Sequence, residues 1–399
     1  MLPKRNDNFF SKKKIWSVVK DDLLKCYLTP YVAKILNTRK PLLYVDCFAG
    51  AGKFEDGTLG SPLIALDIFA ERLTESSTGQ GNRFVEANFI ESDHTEALAA
   101  NLAPYHSYNN MKVSMYAGKY ERRIHEILEG KSYYNLFLYI DPYGIKHLDF
   151  RFLSLLSKQN FSSVELLLNF NSFGFFRAAC SVLKIKFEDK VSYLEEYDES
   201  SYIDASEKML NRVAGGDYWK EIVLRRYNEG ATSYSVEENL TKEFCDHLRE
   251  YYSYVLNIPI KIKEHCNPKY RMIHATNHPD GAVLMADNIF LRGKSLRDIQ
   301  SGGQQDLFEL DFSDVDVRNL VSKYLSTIKN PRRLNIVMAE FFTQYGVICS
   351  SSGITEIIKS LEKENLLELF RQPEKTKKGK PSTFYREDKG KTIRLKWKN

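Results

Sequence analysis

The stretch LLYVDCFAGAGKFEDGTLGSPLIAL, Leu42 to Leu66, decides the fold. An apolar run, Leu42–Val45, stops at Asp46 and enters a turn holding Gly50 and Gly52. Ser61-Pro62 then opens SPLIALDIFAERL. Serine before a helix and proline at its first position form a strong start signal, because the first amides of a helix have no partner within it. Strand, glycine turn, helix is the opening unit of an alternating α/β chain.

The alternation continues downstream. RFVEANFIESD, KVSMYAG, NLFLYIDPYG and VELLLNF read as strands, with HTEALAANLAPY and KYERRIHEILEG as helices among them. Strands apolar on both sides and separated by helices predict a parallel sheet covered on both faces. The fold class is therefore α/β with a doubly wound sheet. In such sheets ligands bind beyond the C-terminal strand ends. The ends to be read together are Asp46 through Gly52, Glu91-Ser92-Asp93, Ala117-Gly118-Lys119, Asp141-Pro142-Tyr143-Gly144 and Asn169-Phe170-Asn171.

Around this unit the chain divides as follows. Residues 1–40 form an N-terminal helical segment, with a helix over 14–37 that Pro30 should kink or divide. Residues 41–295 form the α/β domain. It carries a helical insertion at about 181–256, broken by Gly215-Gly216, and a returning strand at Arg271–Thr276. Residues 296–313 have linker composition. Residues 314–399 form a module of three helices followed by a basic hairpin, the order of a winged helix, with Ser351 or Ser352 capping the third helix. Lysines 375, 377, 378 and 380 make this end electropositive.

Composition excludes several classes. No run of eighteen apolar residues suits a bilayer span, and MLPKRNDNFFSKKK lacks the apolar core of a signal peptide. None of the six cysteines forms a CxxC pair, so no metal site is expected and a reducing cytoplasm is. The net charge of +5 is modest, and its concentration at the C-terminal end says more than its size.

The strand ends carry the chemistry. A dinucleotide fingerprint needs a third glycine running straight into a helix; here it is missing and the helix begins at Ser61. Asp46-x-Phe48-x-Gly50-x-Gly52 instead resembles the first motif of S-adenosylmethionine-dependent methyltransferases. The resemblance implies that this turn holds the amino-acid end of the cofactor and that Glu91 accepts the ribose hydroxyls. Asp141-Pro142-Tyr143 resembles the Asp/Asn-Pro-Pro-Tyr/Phe of amino-methyltransferases acting on bases. There the acid and the proline carbonyl orient the amine, and the aromatic ring stacks on the flipped base. Here the second proline is missing and Gly144 follows the tyrosine. The bland alternative is a turn ending a strand. Asn169 and Arg177 are the candidate substrate contacts, Arg177 for a phosphate or carboxylate.

Taken together, YVDCFAGAGKFEDGTLGSPLIAL, FIESD, LYIDPYGI, LLLNFNSFGFFR and KYRMIHATNHPDG resemble the three-Cys-motif partner proteins, TcmP, over roughly residues 14–295. That likeness implies a Rossmann-like methyltransferase fold, S-adenosylmethionine as cofactor, a winged-helix C-terminal domain and a neighbouring three-Cys-motif protein as partner. Many members carry Gly-Asp at the third strand end. This chain has Gly118-Lys119-Tyr120, which leaves Tyr120 to stack on the adenine. Gln304-Gln305-Asp306-Leu307-Phe308 resembles a sliding-clamp docking peptide, against the simpler reading of a linker entering a strand. The expected function is methyl transfer to an amine, with a nucleic acid as substrate. The alternative is a catalytically inactive adaptor that grips nucleic acid or a partner protein through its C-terminal domain.

Overall fold

A computed structural model describes residues 15–75, 83–187, 205–260, 268, 270–300, 316–388 and 390–398. The elements run α1 (Ile15–Leu36), β1 (Leu42–Asp46), α2 (Ser61–Glu75), β2 (Val85–Glu91), α3 (Thr95–Leu102), β3 (Met111–Ala117), α4 (Tyr120–Leu128), β4 (Asn135–Ile140), α5 (Phe150–Leu156), β5 (Ser163–Phe170) and α6 (Ser172–Leu183). Then come α7 (Glu207–Ala214), α8 (Tyr218–Asn228), α9 (Ser233–Arg249), β6 (Tyr254–Ile260), β7 (Tyr270–Thr276) and α10 (Pro279–Gln300). The C-terminal elements are α11 (Val317–Leu325), β8 (Arg332–Arg333), α12 (Leu334–Tyr345), α13 (Ser351–Lys363), β9 (Leu367–Gln372) and β10 (Thr392–Trp397).

Seven strands form one sheet in the order β3-β2-β1-β4-β5-β7-β6. The first five are parallel, and β7 runs antiparallel to both of its neighbours. The chain steps outward from β1 to β3, then returns to the other side of β1 with β4. The strand order therefore reverses at the β1/β4 boundary, where α/β sheets hold their ligands. Alternate residues of one strand face opposite layers. Tyr44, Phe137 and Tyr139 pack with α1, α2 and α10, whereas Leu43, Val45, Leu138 and Ile140 pack with α4, α5 and α6.

Helix α1 is locked to the sheet by a buried polar cluster. Tyr27 Oη donates to Glu165 Oε2 (2.9 Å) and Thr276 Oγ1 to Glu165 Oε1 (2.9 Å), while His274 Nε2 lies 2.6 Å from Glu165 Oε2. Every member of this cluster is buried, so the carboxylate depends on these partners for its hydrogen bonds.

Several expectations change. Pro30 lies inside α1 without dividing it. The insertion's helices end at Arg249, and the sheet gains an edge strand, β6, that overlaps the end of the expected helical insertion and was not expected as a strand. Helix α10 extends to Gln300, into the stretch read as linker. Ser350, one residue earlier than expected, caps α13 by accepting from the Gly353 amide. Gln304–Phe308 lies outside the described residues.

The C-terminal unit holds three helices and a small sheet of order β8-β10-β9. It packs on the α/β core. Asn335 donates to Asp280 (2.7 Å), the Ser351 amide to Asp287 (2.7 Å) and Arg249 to the Thr343 carbonyl (3.1 Å). Apolar residues of α12, among them Met338 and Phe342, belong to the same core as α1 and α10.

Candidate functional site

A cavity of ≈ 550 Å³ opens over the C-terminal ends of β1, β2, β3 and β4. That volume suits a cofactor-sized ligand. Phe48, Gly50, Gly52, Glu91, Tyr120, Asp141, Pro142, Tyr143 and Asn169 all line it, so strand ends far apart in the chain meet as expected.

Two predicted residues do not reach the wall. Asp46 is fully buried beneath it. Its Oδ2 accepts from Ser61 Oγ (2.6 Å) and its Oδ1 from the Phe48 amide (3.2 Å), so it fastens the start of α2 to the end of β1. Burial raises its pKa to about 7, against the lowering effect of these two donors. Arg177 sits on the second turn of α6 and lines no part of the cavity; the helix begins at Ser172 and carries it past the strand end.

The glycine turn is shaped by positive φ at Gly50 (62°) and Gly52 (80°), conformations that side chains resist. A Cβ at Gly52 would also lie 3.2 Å from Leu98 Cδ1. Glu91 ties this turn to its neighbour strand. Its Oε2 accepts from the Gly50 amide (2.7 Å), and its Oε1 accepts from the amides of Asp93 (2.8 Å) and His94 (3.1 Å). Of about four acceptor sites on a carboxylate, one remains on Oε2.

Aromatic rings form one end of the cavity. Phe48 packs on Tyr120 (5.3 Å between centroids) and on His147 (5.7 Å). Tyr120 is buried, with Phe152 at its edge, so its ring is part of the wall. His147 Nδ1 lies 2.8 Å from Glu121 Oε1, and this contact helps hold the Glu121 carboxyl below its ordinary pKa. Neither Glu121 nor His147 was read from the sequence as a site residue, because each sits beyond the strand-end motif.

Asp141 occupies the other end. Lys20 Nζ donates to its Oδ1 (2.8 Å) and Oδ2 (2.6 Å), Asn169 Nδ2 to Oδ1 (2.6 Å), and Tyr139 Oη to Oδ2 (3.4 Å). Lys20 comes from α1, together with Ser17 and Asp21 in the same wall. The sequence carried a signal for Lys20: a lysine set between Val19, Leu23 and Leu24 on an apolar helix face, where charge is retained only with a partner. Tyr143 stands at the rim, 64% exposed. Gly144 has φ +82°, a conformation that side chains resist, so the turn leaving β4 is shaped by its glycine.

No family profile matches the chain, and no curated protein matches it. Among solved structures it is similar to PKMT2 from Rickettsia typhi (10% identity over 86% of this chain and 73% of that one, TM-score 0.29). It is also similar to loganic acid methyltransferase solved with SAH (8% identity, 96% and 95%, TM-score 0.27). A third is a protein described as a caffeoyl-CoA O-methyltransferase from Staphylococcus aureus (10%, 62% and 81%, TM-score 0.28). Scores this low carry no argument, and the functional reading rests on the site.

Among the described residues no helix is long and apolar enough to cross a membrane, and no cluster of three metal-ligating side chains is present.

Proposed function

We propose that the chain is a methyltransferase that takes its methyl group from S-adenosylmethionine. The observation that carries this reading is one cavity, at the reversal point of a mostly parallel sheet, shared by the glycine turn, Glu91 and Asp141. The residues present fit the cofactor. Gly50 and Gly52 leave room for close backbone approach, Glu91 keeps one acceptor site for a hydroxyl, and Phe48 beside His147 offers flat surface for a purine. When bound, the cofactor supplies an electrophilic methyl group on sulfur. The chain's contribution is positioning and charge: Asp46 fixes the turn, Glu91 fixes the β1 and β2 ends relative to each other, and Asp141, braced by Lys20 and Asn169, faces the acceptor. Catalysis by placement of this kind supplies a large part of a rate enhancement.

The C-terminal unit is, in this reading, a winged helix that docks nucleic acid. Three helices, a three-stranded antiparallel sheet and an exposed hairpin bearing Lys375, Lys377, Lys378 and Lys380 support it. The resemblance to three-Cys-motif partner proteins adds a second macromolecular partner, that neighbouring protein.

Calorimetry with S-adenosylmethionine tests the proposal. Binding is expected, and Asp141→Ala should abolish transfer while the folded variant still binds the cofactor; its melting temperature should fall, because the buried Lys20 loses its carboxylate. No binding at high cofactor concentration would defeat the methyltransferase reading and favour the adaptor alternative, whose motivation is Lys119 at the third strand end where an acid would meet adenine.

A further inference from the structure

We infer that the atom methylated at the Asp141 end is a hydroxyl oxygen, and that the nucleic acid is RNA, methylated on its ribose. The inference rests on the methyl-transfer reading above. It begins with a count of lone pairs. A carboxylate has about four acceptor sites. On Asp141 three are taken at short range, by Lys20 and Asn169 on Oδ1 and by Lys20 on Oδ2, and Tyr139 Oη stands 3.4 Å from the fourth, on Oδ2. An exocyclic amine brings N–H donors, and Asp141 accepts one only by releasing a Lys20 N–H, for which the amine, its lone pair delocalised into the base, offers no acceptor.

Two groups beside Asp141 do have capacity. The Lys20 ammonium has three N–H donors, two of them spent on Asp141, and the residue lines the cavity. Asn169 also lines the cavity and is 1% exposed, and its Oδ1 has no hydrogen-bond partner among the described residues. The orientation of that amide is fixed, because only its NH₂ can donate to a carboxylate. A ligand group that satisfies both must accept from an ammonium and donate to an amide carbonyl. A hydroxyl does both. A base's exocyclic amine, its lone pair delocalised into the ring, only donates; a carboxylate only accepts, and it would face the charge of Asp141.

The step balances. The hydroxyl oxygen forms a bond to the methyl carbon as the carbon–sulfur bond breaks, its electron pair leaving on sulfur. Lys20 swings one N–H from Asp141 to the oxygen and stabilises the negative charge developing there. This frees a lone pair on Asp141, which takes the hydroxyl proton. Among nucleic acids, a hydroxyl on every internal sugar distinguishes RNA from DNA, and the 2′-hydroxyl is both donor and acceptor. Tyr143, exposed at the rim, is placed to stack on the neighbouring base.

The test uses the full chain, methyl-¹³C S-adenosylmethionine, and random-sequence single-stranded RNA and DNA pools. The label is expected on RNA alone, with the carbon resonance of O–CH₃ rather than N–CH₃. Lys20→Met should lower transfer about 100-fold or more, Lys20→Arg should retain part of it, and both should bind cofactor as the parent does. A second readout needs no turnover: without cofactor, Lys20→Met should lose about tenfold of the preference for RNA over DNA. N-methyl product, equal labelling of DNA, labelling of the protein instead, cofactor binding with no transfer, or full transfer by Lys20→Met would each overturn the inference. Absence of cofactor binding with the Lys20-dependent RNA preference intact would instead defeat the methyl-transfer reading and support the hydroxyl-binding site.

Discussion

At the residue scale, Asp46 shows how a motif position can be read for the wrong task. Its place after β1 suggested a cofactor contact, yet its carboxyl is spent on Ser61 and Phe48 below the cavity floor. Its elevated pKa has a sign that can be tested. The folded chain holds this proton up to about pH 7, whereas an unfolded aspartate releases it near its ordinary value of 3.8. The resulting stabilisation is full below that ordinary value and is lost as pH rises through 7, by about 4 kcal/mol in all. Urea titrations of the parent and Asp46→Asn between pH 4 and 8 should show the parent losing stability over this window and the variant losing less. Gly281 offers a second test. A Cβ there would stand 2.3 Å from Glu165 Oε1, inside the cluster that locks α1. Gly281→Ala should cost about 1–3 kcal/mol by overpacking, measured by denaturant midpoint. An unchanged midpoint would mean the cluster yields at little cost.

At the scale of elements, the strands buried on both faces were legible because their composition admits no other place for them. Leu42–Asp46 and Asn135–Ile140 are buried at every position. β6 was missed for a physical reason: YVLNIPI contains Pro259, which argues against a central strand, and β6 is the sheet's edge, where proline is allowed. Asn169 was legible because it lies at the end of β5, one residue before Phe170 closes the strand. Lys20 was legible only as a charge on an apolar face in need of a partner, since nothing in α1 announces a carboxylate 121 residues away. Under the proposal that the C-terminal unit docks nucleic acid, the α13–hairpin pair predicts weak sequence preference. Lysines crowd the hairpin, while α13 exposes Ser352 and Glu356, with Glu356 paired to Lys359 (2.6 Å). Phosphate contacts position a protein without specifying sequence. Changing Lys375, Lys377, Lys378 and Lys380 to Gln should therefore weaken binding to all sequences alike. It should also flatten the logarithmic salt slope by about 0.7–0.9 per lost phosphate contact, read by fluorescence anisotropy across a salt series. A slope that stays steep would move the nucleic-acid surface elsewhere.

At the scale of the whole molecule, the α/β core and the C-terminal unit share one apolar interior. α1, α10, α12 and α13 all contribute to it. Calorimetric scanning should accordingly give one cooperative transition, with a calorimetric enthalpy equal to the van't Hoff value; two resolved transitions would show that the units are independent. Removing residues 316–399 should leave α10 and β6 with bare apolar surface and yield an aggregating core. The locking of α1 has a further consequence, for synthesis on the ribosome. Asn288 donates to the Leu23 carbonyl across 265 residues, and Tyr27 reaches Glu165 across 138. The helix made first can meet α2 early but completes its packing only when α10, near the end of the α/β core, has emerged. Contacts this distant in sequence slow folding. For most of translation the nascent chain must carry α1 without His274 and Asn288, the partners of Tyr27 and of the Leu23 carbonyl, a natural binding segment for a chaperone.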